Sequence, residues 1–163
     1  MKKIYLVEGV SGAGKTTVGE ELHKLGYTVI DADEELASFT DPETGLPTDD
    51  HNYKNWLWNE EKFYHAVEQA DDGIIFICGG AMNKPDFLHN FTKVFTLHLD
   101  DETLKHRLAT RTNNDYGKKP EELAFQLKMN QIAEQHSKDT GTILVDATKP
   151  LQTVIDKILS EVN

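Results

Sequence analysis

The 163 residues make one domain with room for a sizeable core, and 38% hydrophobic with 28% charged residues is a globular composition. Seventeen basic against 28 acidic side chains leave a net charge of −11, which argues against nucleic acid and anionic membranes as partners. No apolar run reaches the length of a membrane span, Met1-Lys2-Lys3 leads into a strand too short for a signal-peptide core, and the lone Cys78 excludes an internal disulfide; a cytoplasmic protein is expected.

The first predicted strand is Lys3–Val7, around the apolar run Ile4-Tyr5-Leu6-Val7. Gly9-Val10-Ser11-Gly12-Ala13-Gly14-Lys15-Thr16 follows and fits G-x-x-x-x-G-K-[ST], the phosphate-binding loop called Walker A. Its glycines let the backbone curl and turn N–H groups inward. Lys15 would place a point charge at the β- and γ-phosphates, and the Thr16 hydroxyl would ligate Mg²⁺. A helix over Lys15–Leu25 adds its positive N-terminal end. Val18, Leu22 and Leu25 mark its buried face and Gly26 its C-cap. Strand, glycine loop, helix is the context that separates this motif from a glycine turn with an incidental lysine. Gly9, Ser11, Gly12, Ala13, Gly14, Lys15, Thr16 and Thr17 are the nucleotide-contact candidates.

A strand over Thr28–Ile30 ends at Asp31-Ala32-Asp33. Alternation puts Asp31 and Asp33 on one side if the strand persists. One carboxylate can hold Mg²⁺, and the other can take the proton of a substrate hydroxyl. Asp31 is assigned the metal and Asp33 the acceptor; the plainer reading is that Asp31 caps the next helix and Asp33 lies in its first turn, and both readings can hold together. Helices are predicted over Asp33–Ser38 and Tyr53–Ala70, with a polar, turn-rich stretch from Thr40 to Asn52 between them. Trp56 and Trp58 lie in the second helix, where residues two apart point to nearly opposite sides. One is expected in the core, and Trp56 is the candidate for the acceptor cleft; His51, Asn52 and Tyr53 are weaker polar candidates nearby.

Gly73–Cys78 is the third predicted strand, and Gly79-Gly80 after it lets a ligand approach the backbone closely. No acid stands where a Walker B strand would end in one, which moves the metal duty toward Asp31. A helix over Lys84–His89 and a strand over Val94–Leu99 precede a helix over Asp101–Thr110. Arg107 and Arg111 are the only arginines among 17 basic residues, and a spacing of four puts them on one helix face. Arg111 opens the polar stretch Thr112–Lys119. Arginines on a closing lid stabilise charge on a transferring phosphoryl group. The plainer alternative is a solvated pair neutralised by Asp101 or Glu102. Pro120–His136 and Leu151–Val162 read as helices and Thr142–Val145 as the last strand. Alternating strands and helices predict a parallel sheet covered on both faces, with the ligand at the carboxyl ends of the strands.

These features together resemble the P-loop small-molecule kinases: the adenylate-kinase-like, shikimate-kinase-like and gluconate-kinase-like enzymes. Asp31 and Asp33 match the D-x-D of shikimate kinases, Cys78-Gly79-Gly80 is similar to their acceptor segment, and Arg107 to Arg111 resembles the helix entering their lid. Asp146-Ala147-Thr148-Lys149-Pro150 looks like the stretch that packs near the adenine. The resemblance implies a single three-layer α/β/α domain over residues 1–163 with a five-stranded parallel sheet of order 2-3-1-4-5. It places an acceptor region at about 33–70 and a short lid at about 111–120. It implies ATP and Mg²⁺, with Arg107 reaching the nucleotide and with Lys15, Asp33, Arg107 and Arg111 as catalytic residues. Asp33, Trp56, Gly79 and Gly80 would meet the acceptor, and Thr16 and Asp31 the metal.

The chain departs from that pattern between Asp31 and Cys78, which hold Lys54 and Lys62 but no arginine. Bidentate capture of a carboxylate or phosphate favours arginine. The expected acceptor is therefore a neutral hydroxyl compound such as a nucleoside, sugar or polyol. A nucleoside-monophosphate kinase is the second reading. A nucleotide-binding switch or slow ATPase acting through a protein partner is a third. Monomer and homodimer are both compatible with the sequence.

Overall fold

A computed structural model describes residues 1–162. Five parallel strands form the central sheet: β1 (Lys3–Gly9), β2 (Thr28–Asp31), β5 (Ile74–Cys78), β6 (Lys93–His98) and β7 (Ile143–Asp146). Their order is β2-β5-β1-β6-β7, the predicted 2-3-1-4-5 once a separate two-stranded ribbon is numbered in. Each central strand is an apolar run because both its faces are covered.

Alternation along β1 sends side chains to two cores. Tyr5 and Val7 join Phe76, Phe95 and Leu97 against α1 (Lys15–Lys24) and α6 (Leu151–Ser160), where Val18, Leu22, Ile155 and Ile158 are buried. Leu6 joins Ile30, Ile75 and Ile77 against Phe63 of α3 (Glu60–Gln69) and Phe87 of a 3₁₀ segment, Lys84–Asn90. Among the described residues no helix is long and apolar enough to cross a membrane.

Several predicted boundaries move. The helix expected over Asp33–Ser38 is one turn, α2 (Ala32–Glu35), followed by β3 (Ala37–Phe39). The helix expected over Tyr53–Ala70 begins as a 3₁₀ turn at Tyr53–Asn55, becomes β4 (Trp56–Trp58), and turns helical only at Glu60. The Asn59 side chain accepts the Lys62 N–H at 2.8 Å and starts α3 there. β3 and β4 pair antiparallel, Phe39 opposite Trp56, which suits aromatic side chains better than a helix does. Trp56 and Trp58 therefore share a face instead of opposing each other. Leu25, placed above on the buried face of α1, is 52% exposed at its end. Lys84–Asn90 is 3₁₀, with Pro85 at its start. α4 (Asp101–Thr110) matches its expected span, and α5 (Pro120–Thr140) runs four residues past its expected end before Gly141 stops it.

Candidate active site

The loop from β1 to α1 lies at the carboxyl end of the sheet, beside the order reversal between β1 and its neighbours. Gly14 is the N-cap of α1 and has no side chain to occupy the N–H groups behind it. Lys15 curls back over the loop and donates to the Gly9 carbonyl at 2.8 Å and the Val10 carbonyl at 3.0 Å. Burial lowers its pKa, and the Asp33 carboxylate opposes that shift. An enclosed ammonium at a helix start favours an anionic ligand, so the loop fits a phosphate.

Neither arginine pairs with Asp101 or Glu102. Arg107 Nη2 donates to the Ala147 carbonyl at 2.9 Å, and its Nη1 reaches the Gly12 and Ala13 carbonyls at 3.5 and 3.4 Å. Arg111 Nη1 donates to Ser11 Oγ at 2.8 Å, Asn114 Oδ1 at 3.1 Å and the Tyr116 carbonyl at 3.2 Å. α4 thus delivers both guanidinium groups to the phosphate loop. A cleft of about 480 Å³ opens between them, walled by residues 11–18, Asp33, Arg107, Arg111, Asn113, Asn114 and Lys149.

The strand does not persist through Asp33, so the two acids are not placed by strand alternation. β2 stops at Asp31, and Asp31 Oδ1 accepts the Asp33 and Glu34 N–H groups at 3.1 and 3.2 Å as the N-cap of α2. The capping alternative therefore holds for Asp31, and the cap turns Asp33 toward the cleft. Thr16, Asp31 and Asp33 also line a smaller recess of about 280 Å³. Among the described residues no cluster of three or more His, Cys, Asp or Glu could hold a metal. A cation there would draw further ligands from phosphate or water.

Asp33 keeps exposed surface toward the cleft, yet the surrounding protein raises its pKa by desolvation. Lys15 pulls in the opposite direction, Asp31 adds to the rise, and hydrogen bonds from the Gly80 N–H and the Trp56 indole lower it. Gly79 has φ 147°, and a Cβ there would lie 2.8 Å from Ala32 Cβ and 3.0 Å from Asp33 Oδ1. The glycine at the end of β5 therefore leaves the space that the Asp33 carboxylate fills. Trp56 is half-buried and packs on Phe39 at 4.8 Å, while Trp58 lies in the core against Phe63 and Phe87.

Other groups at the site were weakly signalled or missed. Tyr53 lies beside Gly80, with its ring 5.4 Å from Phe125 of α5. Burial pushes its hydroxyl up to about 12, with the Asp33 charge adding to the shift, so it is a donor at neutral pH. Gln126 was missed. Its Oε1 accepts the Ser11 N–H at 2.8 Å, and its Nε2 donates to the Tyr116 hydroxyl at 3.0 Å. A sequence signal exists: Gln126, Asn130, Ala133 and Ser137 form the buried stripe of α5, and three of these four are polar. Polar side chains on an inner helix face imply fixed partners. Glu8 was also missed; it is buried at the end of β1, where it accepts from Thr96 Oγ1 at 2.8 Å and from Lys84 Nζ.

Residues 11–163 match the family model described as shikimate kinase. No curated protein sequence matches the chain. Solved structures of other kinases share the fold, and three of them illustrate it. A shikimate kinase from Acinetobacter baumannii, in complex with shikimate, is 18% identical with a TM-score of 0.60, over 98% of this chain and 94% of that one. A gluconokinase from Sinorhizobium meliloti 1021 is 22% identical with a TM-score of 0.58, over 97% and 90%. A deoxyadenosine kinase from M. mycoides with bound dATP is 19% identical with a TM-score of 0.54, over 99% and 98%. With the phosphate loop, both arginines and Asp33 around one cleft, and with the family match spanning nearly the whole length, the chain belongs to the shikimate kinase family and is a P-loop small-molecule kinase, transferring a phosphoryl group from ATP to a small-molecule hydroxyl.

Proposed function

We propose that this kinase phosphorylates an uncharged hydroxyl compound, a nucleoside, sugar or polyol, with Mg²⁺ as the second cofactor. The observation that carries this is the pairing of Asp33, Trp56 and Tyr53 on the acceptor side with no guanidinium among them. ATP supplies the γ-phosphoryl group, and its charge is neutralised by cations of the loop and of α4. Gly12, Gly14, Lys15, Thr16 and Thr17 hold the phosphates through backbone N–H groups and the Lys15 ammonium. Thr16 and Asp31, which line one recess, would hold Mg²⁺, and the ion would neutralise charge on the phosphates.

Asp33 accepts the proton of the attacking hydroxyl and aims its oxygen. The Tyr53 hydroxyl donates to a second acceptor oxygen. Trp56 and Phe39 supply an aromatic wall for a base or a sugar face. Arg107 and Arg111 stabilise charge on the transferring group as the lid over residues 111–120 excludes water.

An ADP-release screen across nucleosides, nucleoside monophosphates, sugars, polyols and shikimate-like acids tests the reading. Release that depends on one uncharged acceptor and vanishes in Lys15→Ala is the expected result. Equal release with every acceptor, and with none, would leave a slow ATPase. Preference for a nucleoside monophosphate would replace the neutral acceptor with an anionic one.

A further inference from the structure

The stretch from Gly79-Gly80 to Lys84 is pinned against the β3–β4 ribbon. Met82 N–H donates to the Trp56 carbonyl at 2.9 Å, and the Asn83 side chain brackets the Trp58 backbone with two bonds of 2.9 Å. Lys84 follows directly, and its ammonium turns inward to Glu8. The Lys84 side chain is 19% exposed and the Glu8 side chain 5%. The other Glu8 oxygen accepts from Thr96 Oγ1, which lies 3.0 Å from Thr142 Oγ1. Both carboxylate oxygens are therefore committed, and the pair is fixed. The Gly79 N–H donates to the Val7 carbonyl at 3.1 Å, which seats Glu8 beside the Gly79-Gly80 turn, and the Glu8 charge is felt at Lys15 and at the Tyr53 hydroxyl.

The remaining lysines of this half do not stand in for Lys84. Lys54 is 65% exposed and lies 3.9 Å from Asp50, and Lys62 is exposed on α3. A buried ion pair is a weak source of stability, because desolvating two charges offsets most of their attraction. Two apolar residues would fill the same space at least as well. What the pair does contribute is a cation that cannot reach an anionic ligand.

We infer that the Glu8–Lys84 pair sets acceptor specificity by keeping the acceptor floor electrically neutral, so that an uncharged compound is accepted and carboxylates and phosphates are refused. This deepens the kinase reading above and rests on it. Removing the Glu8 charge would release Lys84 as an anion-binding group.

The test titrates inorganic sulfate into protein saturated with Mg²⁺ and a non-hydrolysable ATP analogue, which fills the phosphate loop. Wild type should take up no sulfate at millimolar concentration. Glu8→Gln should take up one equivalent at least tenfold more tightly, and Glu8→Gln with Lys84→Met should lose it again. Glu8→Ala gives the same readout should Glu8→Gln fail to fold. A folded Glu8 variant that binds sulfate no better than wild type overturns the inference, as does a wild type that already binds it. In parallel, the ADP-release ratio of anionic to neutral acceptors should rise at least tenfold in Glu8→Gln. Acceptor-independent release in every variant would count against the kinase reading alone, since the sulfate titration decides the pair without turnover.

Discussion

Asp33 combines two pressures that an aspartate free in water lacks. Desolvation favours its neutral form, and Lys15 favours its charged form; desolvation is the larger, and the pKa rises. If Asp33 is the base, transfer requires the carboxylate and is lost as pH falls through that raised pKa. The acid limb of kcat/KM should therefore lie above the range of an ordinary aspartate. Asp33→Asn should lower kcat by about 10²–10⁴ and abolish that limb while sparing ATP binding. Full activity in Asp33→Asn would remove the residue from the mechanism. At this scale the sequence was legible where a motif sets the spacing, as at Lys15, Thr16 and the two arginines. It was less legible for Asp31, since both a strand end and a cap suit aspartate and only the backbone turn at Ala32 separates them. Glu8 was invisible, because a lone acid in an apolar strand gains meaning only from Lys84, 76 residues later.

Strands buried on both faces announce themselves as apolar runs, which is why β1, β5 and β6 were legible, while the edge strands β2 and β7 were read from shorter apolar stretches between helices. The β3–β4 ribbon was not. Three residues per strand carry no usable period, and Trp56-Leu57-Trp58 reads as either a helix turn or a strand until the partner Ala37–Phe39 is known. α4 shows how one element serves two others. Its fully buried Leu108 lies under the phosphate loop, where a Cβ on Gly12 would be 3.1 Å from it, and under the lid, where a Cβ on Gly117 would be 2.8 Å from it. Gly117 also has φ 92°, so Gly117→Ala brings both backbone strain and a collision. The variant should push the lid off Leu108 and raise KM for ATP several-fold. Its global stability should change by no more than about 1–2 kcal/mol, because a lid can yield where a core cannot. Steady-state kinetics with a urea melt separates the two effects; an unchanged KM would detach the lid from nucleotide binding.

Gln126 ties the lid and the phosphate loop into one hydrogen-bonded ring with Tyr116, Arg111 and Ser11, across 115 residues of sequence. Such a ring is unreadable in advance, since no local pattern names the partner of a buried amide. Gln126→Leu would break this ring and should cost about 0.5–1.5 kcal/mol in urea unfolding, the net worth of a hydrogen bond, because water in the cleft can reach the half-buried Ser11 N–H. The wider architecture sets how binding and folding are linked. The sheet divides one core under the phosphate loop from another under the acceptor segment, and the cleft lies above the strands they share. A ligand in that cleft binds the folded chain alone, because the loop, α4 and Asp33 come from segments up to about a hundred residues apart that meet only in the native state. Linkage then requires Mg²⁺-nucleotide at a hundredfold its Kd to stabilise the fold by about 2.7 kcal/mol. For a domain of this size that corresponds to a rise in Tm of about 5–10 °C. Lys15→Ala removes the ammonium held between the Gly9 and Val10 carbonyls, so at the same nucleotide concentration most of the rise should disappear. Arg107→Ala should lose part of it, since its guanidinium lies on the same wall. Differential scanning fluorimetry with and without nucleotide reads both. An equal rise in wild type and Lys15→Ala would mean that nucleotide is held somewhere other than the phosphate loop.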